Sequence, residues 1–223
     1  LAELGRVAGD VDRVVELFAS PEQGYERVLA DEIPLGATAQ QIKDALADWF
    51  AAPERASSDC VLLYYAGHGD EIGKAGHHYL FTSDSTERDL FKKALKTRDL
   101  VEIFFEGEGE RPQNILLILD TCYSGQGGNQ AVAAVAQAKQ VAVRGDSGLW
   151  VLASADPLTE AADGLFVDAM LSVMSDDAWL PRGGKQFLNP LELKDGINEW
   201  FGQRQHPQRA VASVIGVESA PTF

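Results

Sequence analysis

The sequence predicts an α/β domain with a mostly parallel central sheet, and three observations support this fold class. Two continuous apolar runs, CVLLYY at 60–65 and NILLIL at 114–119, have the length and composition of strands buried on both faces. A third apolar run covers 149–153. Segments with helical spacing of apolar residues alternate with these runs, and such alternation is typical of parallel sheets.

Weaker patterns place the other elements in order along the chain. Apolar residues at helical spacing predict helices at 4–18, 38–50, 97–105, 165–174 and 190–203. Short apolar stretches predict further strands at 25–29, 78–82 and 210–217. Thr38 is expected to cap the second helix, because its hydroxyl can accept a hydrogen bond from a free N–H of the first turn. The Ala-rich stretch 130–143 fits either a helix or a mobile segment.

The overall composition disfavours several function classes. The chain has 223 residues, 45% of them hydrophobic, and a formal net charge of −15. This length fits one domain over 1–223. Binding to phosphate backbones requires clustered Lys and Arg, so no nucleic-acid partner is expected. An acidic surface would suit a cationic substrate, and the alternative is that the acidity only aids solubility.

The cysteines and the apolar runs bear on localisation. No apolar run reaches the roughly 18 residues that a membrane span needs, and no secretory signal opens the chain. Cys60 and Cys122 are too few for a disulfide framework or a Cys-based zinc site. We therefore expect a cytoplasmic protein without membrane contact.

Each of the two long apolar strands ends in a polar motif. The first is followed by His68 between two glycines, and the second by the run DTCYSG, which contains Cys122. Functional residues of parallel α/β sheets lie beyond the carboxyl ends of strands, so these side chains are expected to meet. An imidazole can take the proton of a thiol and later protonate a leaving amine. The pair predicts a nucleophilic Cys122 with His68 as acid-base partner, whereas Cys60 begins a strand and is expected to be structural.

Other features of the motifs are assigned more simply. The amides of Gly69 and Cys122 are expected to form an oxyanion hole. His77 and His78 are adjacent, but they lack further ligands at a workable spacing, so no zinc site is predicted.

The two motifs together resemble those of the caspase-like cysteine peptidases, which are the caspases, the metacaspases and their bacterial relatives. YYAGHGD is followed by DTCYSG at about the 50-residue spacing of that group. ASADPLTEA, GLFVDAML and HPQRAVASVIG are similar to the bacterial branch. The resemblance implies a three-layer α/β/α sandwich and a thiol protease, a hydrolase with a Cys-His dyad. Such domains usually open with an apolar strand ahead of a segment like LGRVAGDVD, so the first strand is expected to be missing before Leu1.

The type of substrate residue that precedes the scissile bond is predicted from Asp120. Caspases proper carry a Gln two residues before the nucleophile, whereas metacaspases and paracaspases resemble this chain in having Asp there, which pairs with a basic side chain. A carboxylate in a partly desolvated pocket favours Arg or Lys. The resemblance implies a second pocket acid, for which Asp10 is expected, Asp12 is its competitor and Glu160 is a third candidate. The expected substrate is a protein or peptide with a basic residue before the scissile bond.

Metacaspases often need calcium, and Asp70, Glu71 and Asp84 offer hard oxygen ligands. No loop here has a recognisable calcium spacing, so no cofactor is expected to be required.

Many relatives cleave themselves after the catalytic cysteine, and Lys139 and Arg144 would suit such a step.

The resemblance also implies a wider setting, the protease part of a bacterial immune or cell-death system with a regulatory partner. Two alternatives remain open. One is a dormant or non-catalytic caspase-like interaction module. The other is a different acyl-transfer enzyme, a transferase or esterase built on the same thiol.

Overall fold

The fold was analysed in a computed structural model that describes residues 5–74, 76–105, 111–122, 124–125, 127–131, 133, 148–156, 162, 164–175 and 189–215. Its strands are β1 (Cys60–Ala66), β2 (Gly69–Ile72), β3 (His77–Leu80), β4 (Leu95–Lys96), β5 (Asn114–Asp120), β6 (Gly148–Ala153) and β7 (Val211–Ile215). Its helices are α1 (Val7–Phe18), α2 (Ala39–Ala51), α3 (Leu90–Lys93), α4 (Thr97–Phe105), α5 (Leu165–Ser175) and α6 (Pro190–Gln203). A further helical stretch follows Cys122, with described residues at 124–125, 127–131 and 133.

The central sheet has the strand order β1-β5-β6-β7. The pairs β1–β5 and β5–β6 are parallel, and β7 runs antiparallel to β6. A smaller antiparallel sheet contains β2, β3 and β4 in that order. The prediction of an α/β fold with a mostly parallel sheet is therefore confirmed.

Helices cover both faces of the central sheet because successive side chains of its strands point to opposite sides. On one face, Leu116, Ile118 and Trp150 pack in a cluster with α1, α5 and α6. On the other face, Ile115 and Leu117 pack in a cluster with α2 and α4. The continuous apolar runs of β5 and β6 reflect this burial on two sides, which produces three layers.

Two helices begin at side-chain caps that the local sequence provides. The Thr38 hydroxyl accepts a hydrogen bond from the N–H of Gln41, whose side chain bonds back to the N–H of Thr38. Asn189 and Glu192 form the same reciprocal arrangement at the start of α6. These capping boxes satisfy N–H groups that the first helical turn leaves without a partner.

The predicted strand at 25–29 is wrong, since this segment has no regular structure. The N–H of Tyr25 donates to the carbonyl of Phe18, and the two rings pack edge to face at 5.7 Å between centroids. No strand in the described part of the chain pairs with 25–29. Strand-forming side chains are not sufficient where backbone groups lack a neighbouring ladder.

The outer edge of β1 borders a large apolar groove. Among the described residues, β5 is the strand that pairs with β1, and the other side of β1 faces a groove of about 1400 Å³ between α1, α2 and 25–37. The β1 side chains after Cys60 are consequently half-buried, whereas those of the inner strand β5 are mostly buried. In the described part of the chain, we find no helix long and apolar enough to cross a membrane.

Candidate active site

The register of the first two strands of the central sheet brings the two polar motifs together. Ala66 at the end of β1 lies directly opposite Asp120 at the end of β5. The N–H of Gly67 donates to the carbonyl of Asp120 at 3.2 Å, which extends the pairing by one residue. His68 and Cys122 each lie two residues beyond this pair of strand ends. Neighbouring parallel strands therefore deliver both side chains to one sheet edge, as the sequence predicted.

A small cavity of about 100 Å³ opens at this edge. Its wall is formed by Val7, Asp10, Ala66, Gly67, His68, Asp120, Thr121, Cys122, Ala162 and Gly164. The larger groove beside β1 also reaches His68 but does not include Cys122. The small cavity is thus the place where the predicted thiol, imidazole and carboxylates meet.

Two buried serines anchor the turn that carries the predicted nucleophile. The N–H of Thr121 donates to Oγ of Ser154 at 3.2 Å. Oγ of Ser124 donates to the carbonyl of Ala155 at 3.2 Å and accepts from the N–H of the same residue at 2.9 Å. The residues on both sides of Cys122 are therefore fixed to the chain that follows β6. The sequence analysis did not predict a role for these serines. The feature of the sequence that could have indicated one is their position shortly after a buried strand.

The backbone of His68 is held by a tyrosine from the preceding strand. The hydroxyl of Tyr65 lies 2.9 Å from the carbonyl oxygen of His68 and 2.7 Å from that of Phe81. The N–H of Phe81 also donates to the His68 carbonyl, at 2.9 Å. A Cβ at position 67 would lie 2.7 Å from the Tyr65 hydroxyl oxygen, so Gly67 allows the close approach. The loop around the imidazole is thus tied to both β1 and the end of β3.

Gly69 is buried and is not among the residues that line the cavity. A Cβ at this position would overlap Oγ1 of Thr121 and would lie 3.1 Å from Nε2 of His78. The absence of a side chain therefore lets β2 approach the residue just before Cys122.

The hydrogen-bond pattern of the β2–β3 hairpin leaves the N–H of Gly69 directed away from β3. Phe81 N–H donates to the His68 carbonyl, which makes those two residues a hydrogen-bonded pair. Such pairs alternate with non-hydrogen-bonded pairs in antiparallel ladders. The next pair, Gly69 with Leu80, is therefore of the second kind, and its N–H groups point outward. The N–H of Gly69, which was predicted to donate to the oxyanion, therefore makes no hydrogen bond within this ladder.

Asp120 is contacted by a half-buried tyrosine of the neighbouring strand. The hydroxyl of Tyr64 lies 3.4 Å from Oδ2 of Asp120, a long hydrogen bond in which the hydroxyl donates. Burial, and then the charge of Asp120, raise the pKa of Tyr64 above its ordinary value. The hydroxyl consequently remains a donor at neutral pH and orients the carboxylate at the cavity wall.

Asp10 lies in the cavity wall, whereas its competitor Asp12 is exposed. Oδ1 of Asp10 is 3.1 Å from Nη1 of Arg13 and 3.8 Å from Nη2 of Arg6. Both arginines also contact Oδ1 of Asp168 on α5, at 2.8 Å from Arg13 and 3.1 Å from Arg6. These two acids and two arginines form a cluster that joins α1 to α5.

Charge and burial act in opposite directions on the acids of this cluster. Burial raises the pKa of Asp10 above its usual value, although Arg6 and Arg13 act to lower it. Burial would also raise the pKa of Asp168, but hydrogen bonds from both arginines bring it below its usual value. Asp10 thus already has two cationic partners inside the protein before any substrate binds.

The remaining predicted residues give no metal centre in the described part of the chain. There, no three His, Cys, Asp or Glu side chains are grouped so that they could hold an ion. Asp70 accepts a hydrogen bond from the N–H of Glu71, and Asp84 accepts one from the Thr82 hydroxyl. His77 and His78 are consecutive strand residues and point to opposite faces.

Three residues singled out in the sequence, Glu160, Lys139 and Arg144, lie outside the described residues. Their proposed roles in the pocket and in self-cleavage stay predictions.

A parallel α/β sheet with a thiol and an imidazole at neighbouring strand ends points to a cysteine hydrolase as the class of protein. The family model of the caspase domain matches residues 2–209, so the chain belongs to the caspase-domain family of peptidases. This membership indicates a cysteine-peptidase-like function with protein substrates in general. A solved structure of a protein from Geobacter sulfurreducens is similar at 15% identity and a TM-score of 0.45, over 83% of this chain and 75% of that one. No curated protein matches the chain significantly.

Proposed function

We propose that this protein is a cysteine endopeptidase that cleaves after Arg or Lys, with Cys122 as nucleophile and His68 as acid-base group. The observation that carries the proposal is the shared cavity, in which both side chains lie with Asp120 and Asp10. The caspase-domain match independently favours peptide hydrolysis. The carboxylates then favour a cationic side chain beside the scissile bond.

The proposed reaction follows from the groups at the cavity. Sγ of Cys122, after its proton passes to His68, attacks the scissile carbonyl carbon. The amides of Gly69 and Cys122 bind the oxyanion. The C–N bond then breaks as the imidazolium of His68 protonates the leaving amine, and a thioester remains. Water, deprotonated by His68, attacks the thioester and releases the new carboxyl terminus and the thiol of Cys122.

The two cavity acids are proposed to contribute unequally to specificity. Asp10 already shares its charge with Arg13 and Arg6, so a substrate cation would have to compete with them. Asp120 ends β5 two residues before the nucleophile and lines the same cavity. We therefore assign the main selection of a basic side chain to Asp120 and a supporting part to Asp10.

Fluorogenic peptides that differ only at the residue before the scissile bond test the proposal. Peptides with Arg, Lys, Gln and Asp there are compared for the wild type and for Cys122→Ala, with and without calcium. Faster cleavage after Arg and Lys, absent in the variant, supports it. Equal or faster cleavage after Asp rejects the specificity, and preference for an acyl ester over every peptide favours the alternative acyl-transfer enzyme.

The size of the cavity favours a second candidate, a caspase-like interaction module whose peptidase activity is dormant or absent. The cavity of about 100 Å³ is smaller than the roughly 300–1,000 Å³ of most ligand pockets. A regulatory partner would then have to widen the cavity before a basic side chain enters. Cys122→Ala separates the candidates, because an interaction module keeps its cellular effect in this variant and a peptidase loses it.

A further inference from the structure

His78 is a fully buried polar residue that lies outside the cavity wall and contacts the predicted nucleophile. Its Nε2 lies 3.3 Å from the carbonyl oxygen of Cys122, and its Nδ1 lies 2.8 Å from Oγ1 of Thr97. Thr97, the first residue of α4, is also fully buried. The side chain thus connects the backbone of Cys122 to the helix layer.

The two hydrogen bonds determine which ring nitrogen carries the proton. A carbonyl oxygen only accepts, so Nε2 of His78 must be the donor to Cys122. In a neutral imidazole Nδ1 is then an acceptor, and the Thr97 hydroxyl donates to it. Burial lowers the pKa of His78 to about 4, although its contact with Cys122 and the charge of Asp70 act to raise it. At neutral pH the ring is therefore uncharged and holds one defined tautomer.

Additional contacts hold His78 from the side of the helical stretch that follows Cys122. The N–H of His78 donates to Oε1 of Gln130 at 2.8 Å, and Nε2 of Gln130 donates to the carbonyl of Gly76 at 2.5 Å. A Cβ at Gly127 would lie 2.6 Å from Nδ1 of His78, so the helical stretch after Cys122 packs directly on the imidazole. Strand β3 is therefore joined to the segment that follows the nucleophile.

The same strand is joined to the segment that follows His68. β3 pairs with β2, which begins at Gly69, and a Cβ at Gly69 would lie 3.1 Å from Nε2 of His78. The imidazole of His78 thus lies between the two chain segments that bring the dyad together. A bond to the Cys122 carbonyl restricts the peptide plane after the nucleophile and hence the backbone angle ψ of Cys122.

We propose that His78, oriented by Thr97, is a positioning residue that holds Cys122 in its reactive geometry. The inference rests on the proposed peptidase function, in which it would affect the chemical step more than substrate binding. A displacement of about 1 Å of a reacting group can cost on the order of a hundredfold in rate. Loss of this bond is therefore expected to lower kcat by about tenfold to a hundredfold and to leave KM within about threefold.

The test uses the purified 223-residue chain in a Cys60→Ser background, so that Cys122 is its remaining thiol. His78→Phe keeps a ring of similar size but removes both hydrogen bonds, and Thr97→Val keeps the shape of Thr97 but removes its hydroxyl. His78→Gln retains a donor near the position of Nε2. His77→Phe is the matched control, because it changes the neighbouring imidazole on the opposite face of β3.

Two readouts are measured for each variant. The first is the kcat and KM for a basic peptide, and the second is the rate of alkylation of Cys122 by iodoacetamide across pH. The expected result is a lower kcat and a slower alkylation for His78→Phe, a smaller loss for Thr97→Val, partial recovery in His78→Gln and no change in His77→Phe. Circular dichroism and thermal unfolding establish which variants fold.

The possible outcomes separate this inference from the proposed function. A folded His78→Phe with wild-type kcat and wild-type alkylation rejects the positioning role. If His78→Phe does not fold, folded Thr97→Val with both readouts unchanged rejects it instead. If the wild type cleaves no peptide but the alkylation of Cys122 still slows in His78→Phe, the proposed function fails and the positioning of the thiol stands.

Discussion

At the scale of single residues, the approach of the two motifs depends on groups that are small or neutral. Gly69 leaves room for Thr121, which precedes Cys122. The hydroxyl of Tyr64 donates a hydrogen bond to Asp120 without adding a charge to the cavity. The proposed pair of Cys122 and His68 is therefore supported by a residue without a side chain and by a residue without a charge.

The first prediction concerns Gly69→Ala. The new methyl group would overlap Oγ1 of the buried Thr121, so we expect a loss of about 1–3 kcal/mol in the free energy of unfolding. Urea unfolding measures this change. Gly9→Ala is the matched control, because nothing lies within 4 Å of its added Cβ and the position is inside α1. That variant is expected to gain up to about 1 kcal/mol. Equal stabilities of the two variants would contradict the prediction.

A second prediction compares the two carboxylates of the cavity. Asp120→Asn is expected to lower kcat/KM for an Arg peptide by tenfold or more, because removal of one partner of a buried charge pair costs roughly 2–5 kcal/mol. Asp10→Asn is expected to cost less, since Arg6 and Arg13 already share its charge. Steady-state kinetics on Arg and Gln peptides measures both effects, with the exposed Asp48→Asn as control. A larger loss in Asp10→Asn would reverse the proposed order.

At the scale of elements, local sequence signals determine where helices begin, and tertiary contacts determine what they support. Helix α2 packs through Leu46 and Phe50 on the face of the sheet that also carries α4. Helix α1 contributes Asp10 to the cavity and is joined to α5 by two arginines. A change at the start of α2, which does not line the small cavity, should therefore alter stability more than the chemistry of the site.

The third prediction tests the start of α2. Thr38→Ala removes the hydroxyl that accepts from Gln41 N–H, so the free energy of unfolding is expected to fall by about 1 kcal/mol. Thr38→Ser keeps the hydroxyl and should remain within a few tenths of a kcal/mol of the wild type. Denaturant unfolding with helicity as the signal measures both. Identical losses in the two variants would mean that the cap contributes nothing here.

At the scale of the whole molecule, the buried neutral His78 links stability to pH. Its pKa is about 4 in the folded protein, below the ordinary 6.5 expected in the unfolded chain. Above pH 6.5 both states are neutral and the group has no pH-dependent effect. Between pH 6.5 and 4 the unfolded chain binds a proton that the folded protein does not, so stability falls as the pH falls.

The fourth prediction is the size of this effect. A difference of about 2.5 pKa units corresponds to roughly 3 kcal/mol of stability that is lost by pH 4. His78→Gln has no titrating group at this position, and the other titrating groups act similarly in both proteins. The stability difference between wild type and variant should therefore shift against the wild type from pH 7 to pH 4. Parallel stability curves over this range would show that His78 is not held neutral by the fold.

The sequence by itself predicted most of the longer elements and singled out Cys122 and His68, because those predictions depend on local patterns. Helix α6 was predicted with its observed bounds, and the strands before His68 and Cys122 were predicted to within one residue. Periodic apolar residues show which faces are buried, and motifs at strand ends show where chemistry can occur.

Only the tertiary structure decided what supports the pair. The segment 25–29 has strand-forming residues, but no strand in the described part of the chain pairs with it, whereas β2 forms from Gly, Asp, Glu and Ile because β3 lies next to it. His78 and its contact with Thr97 join segments that are distant in sequence, so no local pattern announces them. The reason is physical: hydrogen bonds and close packing between remote residues exist only once the sheet has assembled. The sequence therefore names the thiol and the imidazole, while the folded chain determines how they are held.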